Sequence, residues 1–242
     1  MLDPWAIGVL VVTAMVAFTV AGVAGFGGGV ILMPVLVWLI GPKDAVPIVS
    51  VVAFLAALSR LGLNWRAVRW PVAGWLCLGA VPMNALASYL FVIAPPSILT
   101  RLLGLLILLF VGYRHTPWGQ RQTISARGFF WVGAGSSVID GFLGVPGPLR
   151  APFFLAHGLT GPAYVGTTAI TVIITQIPKM IVFRSNNLLE WQSLLIAGLL
   201  GLIGFLASYL GNWVARRASP RLFRVLVELV LVASGSLLLI RG

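Results

Sequence analysis

Two glycine-rich segments interrupt long apolar stretches of this chain. The first reads Ala21-Gly22-Val23-Ala24-Gly25-Phe26-Gly27-Gly28-Gly29, and the second reads Asp140-Gly141-Phe142-Leu143-Gly144-Val145-Pro146-Gly147-Pro148. In lipid every backbone N–H and C=O group needs a partner inside the protein, so an irregular backbone is tolerated only where it is buried or lines a cavity. A pair of such breaks at matching places in two halves indicates a membrane-embedded binding site of the kind that transporters have.

The composition is that of a membrane protein. Hydrophobic residues make up 60% of the 242 residues and charged residues only 9%, whereas a soluble domain carries about 25% charged residues. The charges are too few to cover an aqueous surface, so we expect an all-α polytopic membrane protein embedded in the lipid bilayer. The net charge of +11 then concerns topology and anionic headgroups. Because the basic residues lie in short loops, we expect no nucleic-acid partner.

The lengths of the apolar runs predict two helical hairpins. A full span needs about 20 residues, and the runs at 28–40 and 149–158 are too short to cross alone. Each follows a glycine-rich break, so each pairs with its predecessor as a hairpin with a glycine-rich tip. Three transmembrane helices follow each hairpin, which gives about 8–10 membrane segments. The runs lie at 5–23, 28–40, 45–60, 71–93, 98–113, 128–144, 149–158, 162–183, 191–214 and 221–240.

The two hairpins begin two halves of similar sequence. Gly22-x-x-Gly25 matches Gly141-x-x-Gly144 at an offset of 119. We therefore predict a first transmembrane repeat over 1–113, a cytoplasmic linker over 114–127 and a second repeat over 128–242. Each half crosses an odd number of times, so the repeats have inverted topology. This orientation places the arginine-rich loops in the cytoplasm, as the positive-inside rule requires.

Inverted hairpins would bring their glycine tips together near the bilayer midplane. The short helices that begin near Gly28 and Gly147 would direct their N-termini there, and free N–H groups at a helix N-terminus bind anions. Glycine also lets the backbone approach a ligand closely. The alternative for these glycines is close helix packing. The candidate substrate-binding glycines are Gly25, Gly27, Gly28 and Gly29 of the first tip and Gly144 and Gly147 of the second.

Two charged residues flank the second tip. Arg150 follows it, and a forked guanidinium at membrane depth suits the oxygen atoms of a sulfonate; the alternative is an interfacial arginine that reaches toward the headgroups. Asp140 precedes the tip and could either pair with Arg150 or act as a proton-coupling carboxylate. Pairing would direct much of the Arg150 charge to Asp140 rather than to a substrate.

Polar residues within the spans are further candidates. Ser50, Thr167 and Thr168 lie near the starts of equivalent spans and could donate hydroxyls to an anion, although such residues also bond to their own helix carbonyls. Gln176 could bind a ligand or a neighbouring helix, and Lys179 could reach an interface. No residue pattern indicates a metal site or a cofactor.

These motifs resemble the TauE/SafE family of sulfite-exporter-like permeases over nearly the whole chain. The resemblance rests on Gly22-x-x-Gly25-x-Gly27-Gly28-Gly29 with Pro34, on the degenerate second copy, and on Ala163-Tyr164-Val165-Gly166-Thr167-Thr168, which is similar to the family's Ala-x-x-Gly-Thr-Ser segment. It implies a transporter that moves sulfite, organosulfonates or related small anions, often outward.

The function we predict is a secondary transporter of small anions in the cell membrane, working by alternating access around the two tips. A proton or another ion would couple transport, and homo-oligomerisation stays open. The alternatives are an anion channel and a non-transporting assembly or anchoring subunit. We expect no enzyme, because the sequence has neither a His-Glu-x-x-His nor a Gly-x-Ser-x-Gly motif.

Overall fold

The computed structural model describes residues 4–99 apart from 25–27, residues 101 and 105, and residues 124–144 and 147–214. Gly25 and Gly27 of the first predicted tip lie outside these ranges. So do most of the predicted linker at 114–127 and the last predicted span at 221–240. In the described ranges the structure consists of helices and their connections and has no strand, which confirms the all-α class.

The predicted apolar runs in the described ranges correspond to helices. Two of the helices, α2 and α6, are the short second arms of the predicted hairpins. The bounds are α1 Pro4–Ala24, α2 Gly28–Ile40, α3 Pro42–Asn64, α4 Trp70–Ile93, α5 Phe129–Leu143, α6 Gly147–Ala156, α7 Gly161–Ser185 and α8 Trp191–Val214.

Four helical segments in the described ranges are long and apolar enough to cross a membrane, which confirms a multi-pass membrane protein. They belong to α3, α4, α7 and α8, and shorter apolar stretches lie within α1 and α2. The four segments are Pro42–Ala67, Trp70–Ile93, Gly161–Ser185 and Trp191–Gly211.

Proline and glycine set several of the helix boundaries. Helices α3, α4 and α7 each have a proline in their first turn, where the missing N–H would have no intrahelical partner anyway. Gly144 ends α5 in the left-handed conformation with φ +72°, and its N–H donates to the Asp140 carbonyl. A side chain there would strain the backbone, so glycine fixes where the second hairpin turns.

Glycines also let the helices approach one another. A Cβ atom on Gly79 of α4 would collide with the Phe130 carbonyl of α5, and one on Gly133 of α5 would collide with the Leu76 carbonyl of α4. A Cβ atom on Gly211 of α8 would likewise collide with the Thr19 carbonyl of α1. Small residues at such crossings are how membrane helices gain close van der Waals contact.

Corresponding helices of the two halves have similar packing partners. Helix α1 packs on α8, and its counterpart in the second half, α5, packs on α4. Helix α3 packs on α8, and its counterpart α7 packs on α4. Helices α3 and α7 also pack on each other. The inverted orientation of the two repeats and their boundaries stay predictions.

Candidate functional site

Three charged side chains of the second half meet inside the helix bundle. Asp140 lies in the last turn of α5, Arg150 near the start of α6, and Lys179 in α7. Their side chains are 0%, 1% and 0% exposed, respectively. Lys179 Nζ lies 3.2 Å from Asp140 Oδ1, and Arg150 Nη2 lies 3.7 Å from Asp140 Oδ2. One carboxylate therefore lies between two cations, and we call these three residues the ion cluster.

The Asp140 carboxylate is held by neighbours on two other helices. Asn84 of α4 donates from Nδ2 to Asp140 Oδ2 at 3.0 Å and also to the Thr175 carbonyl of α7 at 2.9 Å. Lys179 donates to the backbone carbonyl of Asp140 as well as to its carboxylate. The amide of Asn84 thus joins α4, α5 and α7 at the ion cluster.

Arg150 is fixed by three hydroxyl groups. Its Nε donates to Ser136 Oγ at 2.9 Å, its Nη2 to Ser137 Oγ at 2.9 Å, and its Nη1 to Thr175 Oγ1 at 3.5 Å. These bonds use three of the five N–H groups of the guanidinium. The planar fork is held in one orientation, and two N–H groups remain for Asp140 or for another acceptor.

With all three side chains ionised, the ion cluster has a net charge of +1 that no other acidic side chain of the described ranges balances. Asp140 is the only acidic residue of the described ranges within ion-pair distance of Arg150 or Lys179. Taking a charge out of water is costly unless it is paired and hydrogen-bonded. The arrangement is therefore suited to a further small anion.

Two residues on the helices of the ion cluster, Asn84 and Gln176, have buried polar atoms without partners among the described residues. Among the described residues, nothing hydrogen-bonds to Nε2 or Oε1 of Gln176 or to Oδ1 of Asn84, and all three atoms are buried. Gln176 is 0% exposed and lies three residues before Lys179 on α7, a spacing that places two side chains next to each other on a helix. An unpaired buried polar group costs about 1–3 kcal/mol and needs an explanation.

The partners of the ion cluster lie near the middle of two long apolar helices. Asn84 lies near the middle of α4, and Thr175 and Gln176 lie near the middle of α7. Both helices are long and apolar enough to cross a membrane. The residues around the second break therefore contact the central part of two spanning helices.

Only part of this site could be predicted from the sequence. The predicted Asp140–Arg150 contact is present. The alternative that Arg150 or Lys179 reaches toward an interface is wrong, because both side chains are buried inside the bundle. Lys179, which the sequence analysis did not place near Asp140, is the nearer of the two cations.

The glycines of the second tip lie against the first half of the chain. A Cβ atom on Gly144 would be 2.9 Å from Met33 Cε of α2 and 3.6 Å from the Val46 carbonyl of α3. Gly147 is half-buried at the start of α6. The second break is thus packed against the first hairpin.

The described glycines of the first tip have apolar surroundings. Gly28 and Gly29 are buried, and a Cβ atom on Gly28 would be 2.6 Å from the Phe18 ring and 3.2 Å from Ala21 Cβ. The charged side chains that distinguish the second break are absent here, since Ala21 and Ile31 stand at the positions that correspond to Asp140 and Arg150 at the offset of 119. The described part of the first tip therefore contributes close packing, and contact with an anion stays a prediction.

The predicted hydroxyl candidates bond mainly to backbone. Ser50 Oγ donates to the Val46 carbonyl at 2.7 Å, and Thr168 Oγ1 donates to the Tyr164 carbonyl at 2.9 Å. A hydroxyl whose single hydrogen is used in this way has only lone pairs left for a ligand. Thr167 Oγ1 instead accepts from the Arg69 N–H at 3.0 Å, and no hydrogen bond to another described residue uses its hydrogen.

Helical spacing is the signal that could have added four hydroxyl residues, Ser136, Ser137, Thr171 and Thr175, to the predicted candidates. Thr168, Thr171, Thr175 and Lys179 recur at intervals of three and four, which places them on one face of α7. Ser136 and Ser137 precede Asp140 by one turn of α5. A polar face in an otherwise apolar helix indicates a buried partner.

The family model named Sulfite exporter TauE/SafE matches residues 10–238. The chain belongs to the TauE/SafE family. Membership identifies a membrane transporter of sulfite-type anions, in a family of transporters rather than of enzymes. No curated protein and no solved structure shows significant similarity to the chain.

Proposed function

We propose that this TauE/SafE protein is a secondary transporter that exports small sulfur oxyanions across the cell membrane and binds them at the ion cluster. The observation that carries the proposal is the net positive charge of Asp140, Arg150 and Lys179. No other acidic residue of the described ranges balances it, and it is buried beside the middle of two spanning helices. Buried charge in a transmembrane segment marks a substrate or ion pathway more often than a structural feature.

The donors around the cluster suit an oxyanion. Arg150 has two N–H groups beyond its three hydroxyl bonds, and Lys179 has three N–H groups, of which two donate to Asp140. Arg150 is also the fourth residue of α6, so the partial positive charge at that helix N-terminus adds to the same region. A sulfonate or sulfite group offers several oxygen acceptors to these donors.

Alternating access would move the second hairpin relative to its neighbours. The α5–α6 hairpin carries Asp140 and Arg150, whereas Asn84 and Lys179 belong to the spanning helices α4 and α7. A shift of the hairpin would separate these groups and open the cluster to one side. Substrate binding would stabilise one arrangement over the other through this differential contact.

Asp140 is the residue we propose for coupling. In the structure its carboxylate accepts a hydrogen bond from Lys179 Nζ and lies 3.7 Å from Arg150 Nη2. Protonation of Asp140 would release these donors to the substrate, so a proton and an anion would move through the same cycle. The pathway would be completed by the glycine tips and by three hydroxyl residues, Ser50, Thr167 and Thr168. Of these three hydroxyl groups, that of Thr167 has the most available hydrogen.

Transport by purified protein in liposomes tests the proposal. We expect wild-type protein to move sulfite or an organosulfonate above the rate of empty vesicles, and Arg150→Gln and Lys179→Met each to lower anion affinity about tenfold or more, the range for a lost charge-assisted hydrogen bond. Arg127→Gln is the matched control, because Arg127 is exposed. Equal affinities in all four proteins would assign the ion cluster to structure alone.

The same vesicles distinguish the alternatives. A carrier shows counterflow, in which unlabelled anion on one side accelerates entry of labelled anion from the other, because one site faces the two sides in turn. An anion channel moves anion without counterflow. A non-transporting assembly or anchoring subunit moves none of the anions tested.

A further inference from the structure

Three buried polar atoms without partners among the described residues constrain the chemistry of the ligand. One belongs to Asn84, whose amide contacts Asp140, and two belong to Gln176, which lies one helical turn from Lys179. We infer that the site takes a monoanion that keeps a hydrogen-bond donor of its own, such as hydrogensulfite or a hydroxyalkanesulfonate, in preference to a bare sulfonate or a dianion. The inference rests on the proposed anion site at Asp140, Arg150 and Lys179. Gln176 is the residue to which we assign recognition of the donor.

The orientation of the Asn84 amide is set by its neighbours. Its Nδ2 donates to the Asp140 carboxylate and to the Thr175 carbonyl, which are both acceptors. The opposite orientation would place the amide oxygen against these acceptors and is excluded by repulsion. Asn84 Oδ1 is therefore a buried acceptor, and it has no partner among the described residues.

Gln176 offers an acceptor in either orientation of its amide. Both Oε1 and Nε2 lack partners in the described part of the chain, and the side chain is fully buried. The helical spacing places it next to Lys179, which is one of the two cations of the cluster. The amide can donate to an oxyanion and accept from a hydroxyl of the same ligand.

The charge and the unpaired atoms together define the ligand. While Asp140 is ionised, two cations and one carboxylate give the cluster a net charge of +1. One negative charge cancels this excess positive charge, whereas a dianion would turn it into an excess negative charge. An unsubstituted sulfonate has oxygen acceptors only and would leave the oxygens of Gln176 and Asn84 unpaired. A monoanion with an O–H group satisfies the charge and at least one of these acceptors.

A pair of ligands that differ by one hydroxyl tests the inference. Ethanesulfonate and 2-hydroxyethanesulfonate have the same charge and the same sulfonate group. We expect purified wild-type protein in lipid nanodiscs to bind the hydroxylated ligand about tenfold more tightly by isothermal titration calorimetry, since one satisfied buried acceptor contributes that order of preference. We expect 1,2-ethanedisulfonate to bind more weakly than either.

Gln176→Met removes the amide and keeps the length of the side chain. We expect this variant to lose most of the preference for the hydroxylated ligand while its affinity for ethanesulfonate changes less. The matched control is Gln192→Met, because Gln192 is an exposed glutamine at the start of α8. If Gln176→Met does not fold, the ratio of the two affinities in wild-type protein decides the question alone.

The outcomes separate the inference from the proposed function. Equal binding of both ligands by wild-type protein, together with weaker binding by Arg150→Gln, overturns the inference and leaves the anion site standing. Retention of the full preference in Gln176→Met overturns the assignment to Gln176. Absence of binding and transport for every anion overturns the anion site and the inference with it.

Discussion

Removing the Asp140 carboxylate should destabilise this protein more than removing either cation. Asp140→Asn keeps the size of the side chain and an oxygen acceptor for Lys179, but it leaves Arg150 and Lys179 buried without a counter-charge. Lys179→Met, in contrast, leaves Asp140 with Arg150 at 3.7 Å and with the Asn84 amide at 3.0 Å. Asp140→Asn therefore leaves two buried cations without a counter-charge, whereas Lys179→Met leaves a carboxylate that still has a cation beside it.

The distances give the size of the effect. With an effective dielectric constant of about 20, Coulomb's law gives an attraction of about 5 kcal/mol for Lys179 and Asp140 at 3.2 Å. The same estimate gives about 4.5 kcal/mol for Arg150 and Asp140 at 3.7 Å. Asp140→Asn loses both attractions, and removing one partner of a buried ion pair costs about 3–5 kcal/mol in measured cases. We expect a loss of unfolding free energy in that range.

A double-mutant cycle measures the coupling. The double variant Asp140→Asn with Lys179→Met buries one positive charge, as the wild-type cluster does. We expect it to be more stable than Asp140→Asn alone, with an interaction energy of about 2 kcal/mol or more between the two sites. Unfolding free energies would be measured in mixed micelles, first without small oxyanions and then with a sulfonate.

Two results would refute this reasoning. If the two substitutions add within about 0.5 kcal/mol, the side chains do not interact. If the sulfonate stabilises Asp140→Asn no more than it stabilises wild-type protein, the unpaired cations do not attract an anion. Arg127→Gln, which changes an exposed charge, controls for the effect of net charge on the micelle.

Two further predictions concern the glycines that shape the bundle. Gly144→Ala should lower the melting temperature more than Gly158→Ala. Both glycines have positive φ. A Cβ atom on Gly144 would meet Met33 within 4 Å, whereas one on Gly158 would meet no atom within that distance. The left-handed conformation costs about 1–2 kcal/mol at either position, so equal effects would show that Met33 moves aside freely. Gly79→Ala should separate α4 from α5 and reduce both stability and transport, because the new Cβ atom meets the Phe130 carbonyl, whereas Gly74→Ala has open space in front of it. Matching melting temperatures for these two variants would contradict the close approach of the helices.

Much of the fold could be predicted from local features of the sequence. The apolar run at 71–93 is α4, and the short run at 28–40 is α2. Length and hydrophobicity suffice for such segments because a helix satisfies its backbone hydrogen bonds within itself. Glycine and proline then place the breaks, as at Gly144, where a positive φ is required.

The sequence by itself determined an all-helical membrane protein with a break on each side of its middle, and it selected Asp140 and Arg150 as charged residues at the second break. Only the tertiary structure decided that Lys179 and Asn84 meet them and that the Gln176 amide is buried without a partner among the described residues. The physical reason is that helix formation depends on neighbouring residues, whereas a buried ion cluster depends on how four helices are rotated and shifted against one another. A lysine in an apolar helix has the same sequence environment whether it reaches an interface or faces a carboxylate, and packing alone makes that choice.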